Sequence, residues 1–158
     1  MAVTSDILES WPRPRVVVRR HLSRGVSEAF AFSLLFVFLI LAFVAQWPIA
    51  ARESFASGEA SVLPRVLALG LAVLATIPIW YALAAISRLI ARVLGGKGTW
   101  YGARIALFSA LVGIGPLMLL QGLVAGMIGP GPGLIAVRVV VGLGFIYMWL
   151  TMLIEAER

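Results

Sequence analysis

The sequence predicts an all-α membrane protein: a polytopic bundle of about four transmembrane helices, preceded by an amphipathic interfacial helix. Three observations predict it. Hydrophobic residues make up 61% of the 158 positions and charged residues 13%, where an ordinary soluble domain has about 45–50% and about 25%. A soluble chain of ~150 residues buries only about 70% of its surface, so the surplus must face lipid. The apolar residues fall into four blocks, 29–47, 66–86, 105–128 and 134–154, each close to the ~20 residues that cross a ~30 Å hydrocarbon core. The basic residues cluster in short segments between the blocks, where membrane topology places them.

Residues 1–26 form a basic segment ahead of a transmembrane domain at 27–158. Asp6 to Trp11 suits a short helix, ended by Pro12 and Pro14. Pro14 then suits the first turn of a second helix, with Val16, Val17, Val18 and Leu22 set against Arg15, Arg19, Arg20 and Arg24. That pattern suits a helix lying on an anionic membrane surface, where each basic residue is worth about 1 kcal/mol. The plainer alternative is a topology signal alone. Glu28 is expected to pair with Arg24 as an i, i+4 neighbour.

The first block is uncharged and closed by Trp47. It exceeds the ~7–15 apolar residues of a signal peptide and lacks an A-x-A site, so it reads as an uncleaved anchor. Backbone groups in lipid must be satisfied within the segment, so all four blocks read as helices. Trp47, Trp100, Tyr101 and Trp149 fall near block ends, where aromatic rings favour the headgroup layer; Trp80 and Tyr81 read as packing residues. Arg13, Arg15, Arg19, Arg20, Arg24, Arg88, Arg92, Lys97, Arg104 and Arg158 lie on one side, against Arg52, Arg65 and Arg138 on the other. The excess belongs in the cytoplasm, which places both termini there, in a bacterial inner membrane.

Blocks two and three carry Pro78 and Pro116, and a proline inside a helix frees a carbonyl one turn back. With Gly113 and Gly115 beside Pro116, block three is expected to bend or unwind there. Gln121 needs a partner in hydrocarbon; either it lines a polar crevice or it glues helices together. Gly122 and Gly126 form a G-x-x-x-G pair that packs the bundle or joins two copies. Arg138 lies near enough to the outer end of block four to snorkel.

Several function classes are excluded or disfavoured. There is no Cys and only one His, His21, so no structural zinc site is expected, nor any other metal or cofactor. The +6 charge is a topology signal and not a nucleic-acid footprint. No Asp or Glu lies within a block, unlike the intramembrane acids of coupled transporters. Paired carboxylates and a Ser-His-Asp set are absent. The run 95–102 resembles a phosphate cradle only superficially, since Lys97 is followed by Gly98 and no strand precedes it. Lys97 and Trp100 suit headgroup contact, or the run is a plain helix–helix linker.

Three stretches resemble the bacterial branch of the YIP1 family: Trp11-Pro12-Arg13-Pro14-Arg15 with its basic sequel, the segment 89–99 with its Gly-Gly-Lys-Gly, and 103–107 leading to Pro116. The resemblance covers nearly the whole chain and implies a helical polytopic protein with a cytoplasmic N-terminus. Members are often described with five spans, one more than counted here unless block three is broken at Gly115-Pro116. The expected function is therefore non-enzymatic: a membrane-organising or interaction module. Arg15, Arg19, Arg20, Arg24, Arg92, Lys97 and Trp100 would recognise anionic lipid headgroups or an acidic partner, and a membrane-protein partner or a second copy remains open. The rival expectation is a small oligomeric transporter or channel subunit, with Pro78, Pro116, Gln121 and Arg138 as its intramembrane polar and kink positions.

Overall fold

The helices follow from caps and breakers that the sequence carries. In the structure, a computed structural model describing residues 3–58 and 61–158, they are α1 (Val3–Ser10), α2 (Pro14–Leu22), α3 (Glu28–Ala56), α4 (Leu63–Ala75), α5 (Ile77–Val93), α6 (Trp100–Met127) and α7 (Pro132–Ala156). No strand occurs among the described residues. Extended Ser27 opens α3, its hydroxyl accepting the Phe30 N–H at 3.3 Å, and Thr99 opens α6 by accepting Gly102 N–H at 2.9 Å. Each cap satisfies an amide the first turn leaves free. Proline opens α2 and α7, where its missing N–H costs nothing. At the end of α5, Gly95 adopts φ +89 and the amides of Gly95 and Gly96 close on Arg92 and Ala91 carbonyls, a glycine-terminated stop.

Four helices are long and apolar enough to cross a membrane: α3, α4 with α5 as one span, α6 and α7. The interruption falls in block two. Pro78 has no N–H to return to the Leu74 carbonyl, and the chain breaks at Thr76, whose hydroxyl donates to Val73 O at 2.6 Å and accepts Trp80 Nε1–H at 3.0 Å. Block three, expected to bend or unwind at Gly115-Pro116, does not unwind: it is one continuous helix, α6.

α6 is the central element, buried from Tyr101 to Gly115 except for half-buried Arg104. It runs parallel to α3, with Arg104 meeting Glu28 at one end and Arg52 donating to Gly126 O at the other. Glycines set the distance. A Cβ at Gly122 would collide with the Ala45 backbone, and one at Gly126 with Pro48. The G-x-x-x-G pair thus packs the bundle internally, where small residues let backbones approach. α7 returns antiparallel, with Met148 and Met152 fully buried against α6. The α4–α5 span is the least enclosed of the four. Trp80 and Tyr81 pack as expected, edge-on to Phe38 and Phe108 at 5.2 and 5.3 Å. Tyr101, expected at the headgroup layer, is a core residue only 5% exposed.

Candidate functional site

Both described chain ends and the 94–99 connection meet at one end of the bundle, the basic end. The amphipathic face of α2 is real, but it does not face outward. Pro14, Val17, Val18 and His21 are buried, an i, i+3, i+4, i+7 stripe packed on α6 and α7. α1 turns back beside α2, so the two form a short helical hairpin. Ser10 lies against Gly113, and the Trp11 indole against Gly144. Gly113 is thirteen residues into α6, so the hairpin tip reaches about 20 Å along it at ~1.5 Å per residue.

A polar bridge seats this hairpin. His21 Nδ1 is 2.9 Å from Ser109 Oγ and His21 Nε2 is 3.2 Å from Asp6 Oδ2, beside a cavity of about 160 Å³. Ser10 Oγ donates to Asp6 O at 2.6 Å. Burial holds the His21 imidazole below its ordinary value; Asp6 opposes this, and the charges of Arg24 and Arg20 add to it. Sequence reasoning missed this Asp6–His21–Ser109 set, although His21 sits on the apolar stripe of α2. The set does not read as a nucleophile. Ser109 lies mid-helix, where neighbouring amides are spent on helical hydrogen bonds, so no free donor pair stands ready for an oxyanion. Among the described residues no group of His, Asp or Glu could hold a metal ion.

The acids of this end are consumed by ion pairs. Arg20 bonds Asp6 at 2.9 Å and Glu9 at 2.6 Å, and these bonds, that from Glu9 foremost, raise its already high pKa. Arg19 pairs with Glu155, and Arg104 with Glu28 at 2.6 Å. The expected Arg24–Glu28 pair does not form, because Gly25 at φ +86 and extended Ser27 separate the two helices. Arg24 instead lies over the Phe30 ring at 5.0 Å. Arg88 bonds Glu157 Oε2 at 2.9 Å, and the same oxygen accepts Gly98 N–H at 3.0 Å. Lys97 N–H donates to Glu157 O at 2.9 Å. A Cβ at Gly98 would strike Ala156 O, so the glycines of the connection let it wrap the end of α7.

Of the predicted lipid-facing residues, Arg19 and Arg20 are thus engaged within the chain. Arg15, Arg24, Arg92 and Lys97 are exposed and have no acidic partner among the described residues; Arg13, which sequence reasoning did not single out, joins them. Trp100 is half exposed beside them. The intramembrane candidates do not converge. Pro78, Pro116 and Arg138 are exposed and lie on three different helices; the side chain of Gln121, half-buried, makes no hydrogen bond among the described residues. No known family model matches the chain, and neither does any curated protein or solved structure.

Proposed function

We propose that this chain is a non-enzymatic multi-pass protein of the bacterial YIP1 type, acting in the inner membrane as a membrane-organising or interaction module. Its basic end faces the cytoplasm and engages anionic headgroups. The supporting observation is an imbalance. Every described acid at that end is paired with an arginine, while Arg13, Arg15, Arg24, Arg92 and Lys97 are left exposed. Arg24, Arg92 and Lys97 lie at the end itself and Arg13 and Arg15 toward the hairpin tip beside Tyr147 and Thr151; a basic residue near an anionic surface is worth about 1 kcal/mol. The Trp11–Pro14 turn on α6 and the Gly-Gly-Lys-Gly clamp on α7 give the stretches resembling that family a shared structural purpose.

The test uses the full chain in nanodiscs of equal phosphatidylglycerol and phosphatidylcholine, with spin-labelled lipid reporting the annulus. The protein is expected to enrich the anionic lipid severalfold, less so as salt shortens the ~10 Å Debye length. A triple Arg13→Gln, Arg15→Gln, Arg24→Gln variant should lose most of that enrichment. Equal annular lipid composition for the unmodified protein would remove the proposal.

A further inference from the structure

α5 and α7 both pack on α6 but hardly touch each other, and a groove of about 460 Å³ opens between them. Leu83, Ile86 and Ile90 form one wall, and Leu150, Leu153 and Ile154 the other. On α5 it runs from Leu83 to Leu94, about 16 Å at ~1.5 Å per residue, or half of a ~30 Å hydrocarbon core. Its far end is open and apolar. Its near end is closed by charge: Glu157, its carboxylate paired with Arg88, and the Gly96 turn. Two residues on this lining carry buried polar atoms with no partner among the described residues, Trp149 Nε1 and Glu157 Oε1. Glu157 is itself 8% exposed in its side chain. Lys97, exposed and without an acidic partner among the described residues, follows Gly96 at the closed end, its backbone N–H donating to Glu157 O.

We infer that this groove is a binding site for a single phospholipid of the leaflet at the basic end, with one acyl chain between α5 and α7 and an anionic headgroup beside Lys97. The inference rests on the reading of the basic end as a lipid-facing surface and names one bound molecule within it. Length, polarity and charge agree on the occupant. A cleft one leaflet deep, apolar along its walls and polar at one end, matches an amphiphile standing upright in that leaflet. Its volume lies in the ~300–1,000 Å³ range of ligand sites lined by apolar side chains with a few polar groups. A partner helix, about 10–12 Å across, has no such reason to stop at half the membrane. The unpartnered indole N–H suits an acyl ester oxygen, since a buried donor left without an acceptor is costly.

The experiment is native mass spectrometry of the full chain, extracted from nanodiscs of equal phosphatidylglycerol and phosphatidylcholine and washed with delipidating detergent. The unmodified protein is expected to keep one phospholipid, mostly phosphatidylglycerol. Ala91→Trp and Leu150→Trp fill the groove from opposite walls and should each lower retention at least tenfold. Lys97→Gln should keep a lipid but erase the headgroup preference. Unfolding temperature reports which variants fold, and Leu150→Trp, at a position already 47% exposed, decides the matter if Ala91→Trp does not fold. If folded groove-filled variants keep the lipid while annular enrichment persists, the groove assignment fails and the broader reading stands. If the lipid is retained and then lost on filling without any annular enrichment, the groove stands and the broader reading fails.

Discussion

Two glycines of the apolar blocks, Gly122 and Gly142, part company in space. Gly122 faces the Ala45 backbone, whereas nothing lies within 4 Å of a Cβ at Gly142. Overpacking a close-packed contact costs typically 1–3 kcal/mol. Gly122→Val is expected to destabilise the bundle by at least that much and Gly142→Val by under ~1 kcal/mol, measured by unfolding in detergent micelles. Equal losses would show that α3 and α6 do not approach as described. His21 was legible as a lone histidine, but the apolar face expected from Val16, Val17, Val18 and Leu22 did not include it; the buried stripe is Pro14, Val17, Val18 and His21. What no local pattern could give was Ser109, 88 residues away. Because burial lowers the His21 pKa, the docked hairpin favours the neutral ring. Its contribution is fully present above about pH 6.5, the ordinary value, and is lost as pH falls below it. Spin labels at Leu8 and Leu143, both exposed, should move apart on acidification, and His21→Gln should abolish the response. Distances unchanged between about pH 8 and about pH 5 would refute the latch.

At the scale of elements, the spans were readable because length and hydropathy alone decide them. Breaks within them were not. Pro78 and Pro116 look equivalent in sequence, yet only block two is interrupted, where the Thr76 hydroxyl caps the Val73 carbonyl just before Pro78, while Pro116 lies in a helix buried over its preceding half. The hairpin was half legible: its two helices and their proline punctuation were foreseen, its docking surface was not, because an amphipathic stripe does not say whether lipid or protein covers it. The clamp on α7 makes a separate demand. Arg88 and Glu157 are 11% and 8% exposed, and removing one partner of a buried pair costs about 3–5 kcal/mol. Arg88→Ala is therefore expected to loosen 150–158, raising hydrogen exchange there while leaving α3 protected. Unaltered exchange would mean that Gly98 and Lys97 hold the end without it.

For the whole molecule, arginine placement and burial are two sides of one arrangement. Of the ten basic residues assigned to one side by sequence, Arg19, Arg20, Arg88, Arg104 and Arg158 are tied to the five acids of the basic end, Asp6, Glu9, Glu28, Glu155 and Glu157. The opposite end holds Arg52 on the last carbonyls of α6 and Arg65 with Glu53 at 2.6 Å. The sequence has no cysteine, so single cysteines report topology without background. The most direct measurement labels Ser23→Cys, Ser57→Cys, Gly131→Cys and Arg158→Cys in intact cells with a membrane-impermeant maleimide. Ser57→Cys and Gly131→Cys should react from outside, and Ser23→Cys and Arg158→Cys only after lysis. Labelling of Ser23→Cys or Arg158→Cys in sealed cells would contradict a four-span bundle with its basic end in the cytoplasm.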